Sequence, residues 1–356
     1  MKKLAQLFIG LAIAGGALYY TLRNVSMAEL ANSFKTIDHI YILPSILILS
    51  ASYVLRAFRW QILLAPMQTM KVSELYSPLI VGFMSNILPG RAGEFIRAYL
   101  LKQRSSISFS GAFATIIVER LFDLLMMLLM FIWLFVFRSE VFATDARAMG
   151  LPVETVAVKF GQIAATLIAV LLVFIYLLVW HKEKFLTLVV WFEKRLPEKW
   201  ANKVQYLVDE FSLGLSVIKD IRALIKILLF SILIWTAITV TFYPLYWAYD
   251  LQNKSLDSLV LMTVMVGIFI TVLPTPAFLG STNAAILISL HHIMGENELD
   301  AVSFGMVSWA LGFVILLVGG VYFLMHDHLS LSRLVQAEEE LAESDEAKSS
   351  KPESRR

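Results

Sequence analysis

Six ionisable residues interrupt runs that otherwise read as membrane-buried helix. Arg91, Glu94 and Arg97 lie in Asn86-Ile87-Leu88-Pro89-Gly90-Arg91-Ala92-Gly93-Glu94-Phe95-Ile96-Arg97, and Glu119, Arg120 and Asp123 in Val118-Glu119-Arg120-Leu121-Phe122-Asp123. If the second helix starts near Ser108, Arg120 lies about 18 Å along it, near mid-bilayer. An ionised side chain there costs at least about 2.5–3.5 kcal/mol. Such groups must face one another, water or a ligand. Glu119 and Asp123 are four residues apart and share a helical face. Arginine suits phosphate, because its planar fork engages two oxygens at once. On one reading Arg91, Arg97 and Arg120 form a cationic pocket for a lipid phosphate. Glu94, Glu119 and Asp123 then hold the arginines or relay protons. On the other reading the charges are a buried structural network, for instance a Glu94–Arg120 pair, that pins the chain. The residues alone leave both open.

The backbone around these charges is also broken. Gly90 and Gly93 flank Arg91, and a glycine lets backbone approach a ligand closely. The N–H groups that open the following half-helix favour an anion. A second break occurs late, at Leu273-Pro274-Thr275-Pro276-Ala277-Phe278-Leu279-Gly280. Paired Gly/Pro-interrupted segments in the two halves of a hydrophobic chain point to a transporter-type midplane site.

The chain that must position these groups has 356 residues, 58% hydrophobic and only 16% charged, against about 25% charged in a soluble domain. Its mean hydropathy is +0.72. Several runs exceed the roughly 18 apolar residues of a membrane span, so the fold class is an all-α polytopic membrane protein. A net charge of +2 gives no ground for nucleic-acid binding. The absence of cysteine excludes disulfides and thiolate chemistry. No His/Asp/Glu spacing resembles a metal site, there is no Walker A loop, and no Ser-His-Asp arrangement stands out, so no cofactor is expected.

Full spans are expected at roughly 4–22, 40–64, 108–137, 162–180, 226–247 and 301–325, with broken segments at 76–102 and 258–293. Each half of a broken segment is about 20 Å long, short of the ~30 Å hydrocarbon core. Each reads as a re-entrant hairpin, the alternative being two spans with a proline kink. With the N-terminus inside, Lys2, Lys3, Lys71, Lys102, Arg104 and the basic stretch 181–226 fall in the cytoplasm. Arg23, Lys35, Arg138, Arg147, Lys159 and Lys254 fall outside, in accord with the positive-inside rule. The hairpins then enter from opposite faces, as an inverted repeat. The transmembrane domain covers 1–328: a first half 1–180, a cytoplasmic amphipathic insertion 182–222, and a second half 223–328. The insertion carries Val204, Leu207, Val208, Phe211, Leu215 and Ile218 on one face. It lies on the inner leaflet or packs on the bundle. The polar tail 329–356 is expected to be disordered and cytoplasmic.

Other residues are ambiguous. Arg56 and Arg59 read first as snorkelling to cytoplasmic headgroups, with contact to a lipid phosphate as the sharper alternative. Asn86, Thr275, Ser281, Thr282 and Asn283 can cap half-helices or bind a polar headgroup. His291 and His292 read as interfacial, and Gly267, Gly312, Gly319 and Gly320 as helix-packing positions.

The run Asn86–Arg97, followed by Val118–Asp123, resembles the transmembrane region of lysylphosphatidylglycerol synthases, also called the flippase-like domain. The resemblance spans roughly residues 4–325. The second break is similar to the family's second motif, but Asn283 stands where that motif has Glu, and Ala277-Phe278-Leu279 replaces glycines. A role for that acid does not carry over. The resemblance implies a lipid-handling protein of a bacterial or archaeal cytoplasmic membrane, here a stand-alone member without the soluble synthase domain. It implies a translocator of a phosphate-bearing phospholipid or polyprenyl-linked lipid, with Arg91, Arg97, Arg120, Glu94, Glu119, Asp123, Asn86, Gly90, Gly93 and Asn283 as substrate-binding candidates. A membrane-embedded lipid-modifying transferase, or an accessory subunit of a lipid-synthesis enzyme, is the alternative.

Overall fold

The computed structural model describes residues 2–87, 93–138, 215–273 and 275–328, with isolated positions between 147 and 213. The fold is helical: α1 (Lys2–Leu22), α2 (Met27–Thr36), α3 (Ile42–Leu64), α4 (Val72–Ser85), α5 (Gly93–Arg104), α6 (Phe109–Phe137), α7 (Ile221–Val240), α8 (Phe242–Ala248), α9 (Leu256–Val272), α10 (Ser281–Leu287) and α11 (Glu298–His326). A two-residue antiparallel ladder joins Arg147–Ala148 to Leu151–Pro152. Among the described residues, three helical stretches are long and apolar enough to cross a membrane: His39–Leu64, Ile221–Ala248 and Glu298–His326. The chain is thus a multi-pass membrane protein. Helix α6 matches the expected span 108–137, and Ser108 caps it by accepting from the Gly111 N–H at 3.0 Å. The expected span 162–180 and most of the insertion 182–222 lie outside the described residues, as does the tail. At the insertion's end, Leu215 and Val217 are buried against α3 and its neighbours, which favours packing on the bundle there. Helix α2 was not anticipated, because ten residues with a mixed pattern carry little signal.

Both broken segments double back on themselves. In the first, Gly82 of α4 lies against Gly93 and Arg97 of α5, and the Gly93 N–H donates to Asn86 Oδ1 at 3.0 Å across the tip. At the open end Gln68 Oε1 accepts from the Ser106 N–H and hydroxyl at 3.1 and 2.9 Å. The second repeats this plan. The Gly280 N–H donates to Asn283 Oδ1 at 2.9 Å near the tip, and the Glu296 carboxylate accepts from the Gln252 and Asn253 N–H groups at 3.3 and 2.8 Å at the open end. The packing is reciprocal. Helix α4 packs on α11 as α9 packs on α6, α5 on α6 as α10 on α11, and α3 on α4 as α7 on α9, while α3 and α7 run against each other. Three of the four glycines read as packing positions do meet a neighbouring helix: a Cβ on Gly267, Gly319 or Gly320 would press on Met127, Ile80 or Met84. Gly312 faces open space.

Past the end of α11, Asp327 accepts from Ser77 of α4, from Arg104 at the end of α5 at 2.6 Å, and from His326. Burial alone would raise its pKa, but these donors outweigh it and hold the carboxyl at about 2. A depressed pKa contributes stability above the usual carboxylate range and loses it as pH falls toward that value. The clamp therefore holds at neutral pH and loosens only in strong acid.

The tip of the second hairpin is strained. Ala277 and Phe278 take φ of +52° and +59°, in the left-handed region that costs an L-residue roughly 1–2 kcal/mol. The Trp309 indole holds the turn, donating to the Ala277 carbonyl at 2.9 Å. Ala277→Gly is expected to raise thermal stability in detergent by on the order of 1 kcal/mol, read by a melting curve. A melt at or below the parent's would show that the turn is relaxed as it stands.

Candidate functional site

Four helices deliver one polar cluster into the apolar core, each through helical spacing. Helix α3 presents Arg56, Arg59 and Trp60 on one face, α6 presents Thr115, Glu119 and Asp123 at four-residue intervals, and α7 presents Ser231 and Trp235, again four apart. Helix α5 adds Arg97 one turn in from the hairpin tip.

Asp123 is the hub. Its Oδ1 accepts from Arg59 Nη1 at 2.9 Å and from the Trp235 indole at 3.2 Å. Its Oδ2 meets Arg56 Nη1 at 3.4 Å and Arg120 Nη2 at 3.1 Å. Arg59 is fully buried and also donates to Ser231 Oγ at 2.9 Å. Arg97 donates to Glu119 Oε2, and its guanidinium carbon stands 3.6 Å from the Trp60 ring centre, a cation–π contact made with little water present. The Trp60 indole donates to Thr115 Oγ1 at 3.0 Å, which fixes that ring. Arg56 and Arg120 both lie over Phe83, at 5.3 and 5.9 Å from its centre.

The cluster is cationic and incompletely satisfied. Four arginines face two carboxylates, and Glu94, half-buried in the first turn of α5, reaches Arg120 only through its field. Arg59 Nε and Nη2, Arg97 Nε and Nη2, Arg120 Nε and Glu119 Oε1 are buried without a hydrogen-bond partner among the described residues. The Arg59 Nε to Glu119 Oε1 separation of 3.9 Å is too long for a hydrogen bond. Buried orphan donors cost about 1–3 kcal/mol each, more when charged. An oxyanion is the partner that would relieve several at once.

The structure brings Arg97, Arg120, Glu119 and Asp123 together as the sequence suggested. Gly90 and Arg91 lie outside the described residues. The Glu94–Arg120 pair given as an example of the structural-network alternative is not formed among the described residues; Arg120 pairs with Asp123 one turn along its own helix, and Arg97 takes Glu119. Asn86, Gly93 and Asn283 shape the tips: both asparagine side chains accept backbone N–H groups, so capping is their observed role. Asn283 does the reach-back that a Glu at the third helical position performs, without a charge. Snorkelling is overturned for Arg56 and Arg59. Both point into the cluster, Arg59 fully buried and Arg56 largely so, because Asp123 offers them a nearer partner than the headgroups do. Trp60, Thr115, Ser231 and Trp235 were missed. Trp60 and Trp235 carried a faint signal, being indoles within apolar helices whose N–H groups need partners. Among the described residues no group of His, Asp or Glu is placed to hold a metal ion.

The family model described as "Lysylphosphatidylglycerol synthase TM region" matches residues 7–320. Two curated relatives are similar over shorter stretches. "Glycosyltransferase AglD" of Haloferax volcanii is 29% identical over 118 residues, 33% of this chain and 19% of that protein. "UPF0104 membrane protein MJ1078" of Methanocaldococcus jannaschii is 30% identical over 134 residues, 35% of this chain and 53% of that protein. The matched regions thus cover at most about half of these relatives' lengths. No solved structure matches. The chain belongs to the lysylphosphatidylglycerol synthase transmembrane-region family.

Proposed function

We propose that this member of the lysylphosphatidylglycerol synthase transmembrane-region family moves a phosphate-bearing phospholipid or polyprenyl-linked lipid across the cytoplasmic membrane. The observation that carries this reading is the set of buried guanidinium nitrogens on Arg59, Arg97 and Arg120 without a hydrogen-bond partner among the described residues. A staple needs its charges paired; a phosphate site needs donors left over. In this reading the chain has six full spans and two re-entrant hairpins in an inverted repeat, with both termini cytoplasmic. The reciprocal packing of α4 on α11 and α9 on α6 supports the repeat, as do the matching staples at the hairpin mouths. The headgroup sits against Arg97, Arg120 and Arg59 while its hydrocarbon stays in the bilayer. Arg91 and Gly90, which precede Gly93 in the sequence, are proposed as further contacts to the same headgroup. Glu119 and Asp123 hold the arginines apart in fixed directions.

Arg120 tests the idea, because it is the cluster's most exposed arginine, its side chain 37% accessible, and because Asp123 keeps Arg59 and Arg56 without it. In liposomes the purified protein is expected to accelerate transbilayer movement of a labelled phosphatidylglycerol. Arg120→Ala is expected to abolish that acceleration while keeping the helical circular dichroism and the melting temperature. Undiminished movement in the variant would remove the pocket from the mechanism. Chemical conversion of the lipid by the purified protein would favour a transferase instead.

A further inference from the structure

Outside the arginine cluster, the chain carries a cationic cavity of about 760 Å³. It opens between the C-terminal end of α3 and the N-terminal end of α7. Lys219, Arg222 and Lys226 line it on one side, and Gln61, Ile62 and Met70 on the other. The acid present, Asp220, has its carboxylate engaged in capping α7, accepting the Arg222 N–H at 2.9 Å. Its volume falls within the roughly 300–1,000 Å³ of small-molecule sites. Ile62 and Met70 give it an apolar wall beside the cationic one. Such a pairing suits an amphiphile whose anionic head meets the bases while the first carbons of its tails lie on hydrocarbon.

The cavity's place on the fold links it to the arginine cluster. Gln61 and Ile62 lie within one turn of Arg59 on α3, and Lys226 lies just over one turn before Ser231 on α7. Arg59 and Ser231 are bonded to each other at 2.9 Å. Leu63 on α3 and Ile227 on α7, beside these lining residues in sequence, are fully buried. The same pair of helices therefore carries two cationic stations.

We propose that this cavity is a headgroup-docking vestibule, which binds the phosphate of an anionic lipid at the inner face before the lipid reaches the buried arginines. The vestibule's purpose rests on the translocator reading, whereas its capacity to bind a phosphate rests on the cavity itself. The same chemistry would serve a free phosphate, and the test separates the two sources.

The experiment measures equilibrium binding of radiolabelled phosphatidylglycerol to the full chain carrying Arg120→Ala in detergent, so that the buried cluster does not contribute. Diacylglycerol serves as the phosphate-free control and inorganic phosphate as competitor. Each basic residue near a lipid phosphate contributes about fivefold in affinity. The protein carrying Lys219→Gln, Arg222→Gln and Lys226→Gln together is expected to bind phosphatidylglycerol about 100-fold more weakly. The single variant Lys226→Gln, which guards against misfolding of the triple, is expected to lose about fivefold. Lipid binding that inorganic phosphate does not displace supports a lipid headgroup as the ligand. Displacement by phosphate, with phosphate binding lost in the same variants, supports the anion site with free phosphate as its source. Unchanged phosphatidylglycerol affinity in the triple and single variants overturns the vestibule. These readouts need no transport. If the lipid never crosses yet binding falls as described, the translocator reading fails alone. If Arg120-dependent movement persists while binding ignores the three bases, the vestibule fails alone.

Discussion

Asp123→Asn is expected to lower stability by about 3–5 kcal/mol, the range for removing one partner of a buried ion pair. Against a total of about 5–15 kcal/mol for a folded domain, that is enough to leave much of the protein unfolded or unexpressed. The size follows from the hub's contacts. Arg59, Arg56 and Arg120 all reach the Asp123 carboxylate, and the Trp235 indole shares its Oδ1. An amide supplies one acceptor oxygen and turns an NH2 group toward guanidinium groups. Four cations would then share Glu119 as the remaining carboxylate of the cluster. The converse change should be milder. Arg56→Gln removes one of four positive charges and leaves both acids paired, so it should cost well under half as much. Thermal melts in detergent, followed by circular dichroism, give both values. Equal melting temperatures for the two variants would mean that the cluster is not held together by its scarce negative charge.

The second large effect is geometric. Gly93→Ala places a Cβ 2.2 Å from the Gly82 carbonyl oxygen and 2.5 Å from Asn86 Oδ1. The nearest obstacle is backbone of the opposing arm, so no side chain can swing aside to make room. Seen from the other arm, a Cβ on Gly82 would lie 2.8 Å from Arg97 Cβ and 2.9 Å from the Gly93 carbonyl oxygen. The arms must separate, at a cost of about 1–3 kcal/mol or more for overpacking. Separation breaks the Gly93–Asn86 bond and carries Arg97 off Trp60 and Glu119. Movement of labelled lipid in liposomes should fall at least tenfold, because Arg97 leaves the position from which it could meet a phosphate. Gly312→Ala is the matched control, since a Cβ there meets nothing within 4 Å; it should be neutral in both assays. A Gly93→Ala protein that moves lipid normally would show that the tight hairpin is not needed to aim Arg97.

Much of this arrangement was legible before any coordinates. The breaks at Pro89-Gly90 and Pro274-Thr275-Pro276 interrupt apolar runs too short to cross a bilayer in halves. That length favoured a hairpin over two kinked spans. The need of Arg120 for a partner followed from its place in an apolar helix. Arg56 and Arg59 show where such reasoning stops. A single helix offers them the headgroups, and the nearer carboxylate belongs to α6, over sixty residues away. Similarly, Glu94 and Arg120 are plausible partners on charge alone. Arg97 won Glu119 because the hairpin turns that face of α5 onto α6, where Trp60 completes a slot for the guanidinium.

By itself, then, the sequence determined a polytopic helical membrane protein, two doubled-back segments, and a set of charges that needed one another. These properties depend on composition, helical period and the desolvation cost of an ion, all of which act within one segment. The tertiary structure decided which charge meets which, that Asp123 is the hub, and that arginine nitrogens remain to spare. Those outcomes depend on how α3, α5, α6 and α7 cross. An ion pair falls off over a few ångströms, so a shift of one helix reassigns every partner while leaving each helix's own pattern unchanged.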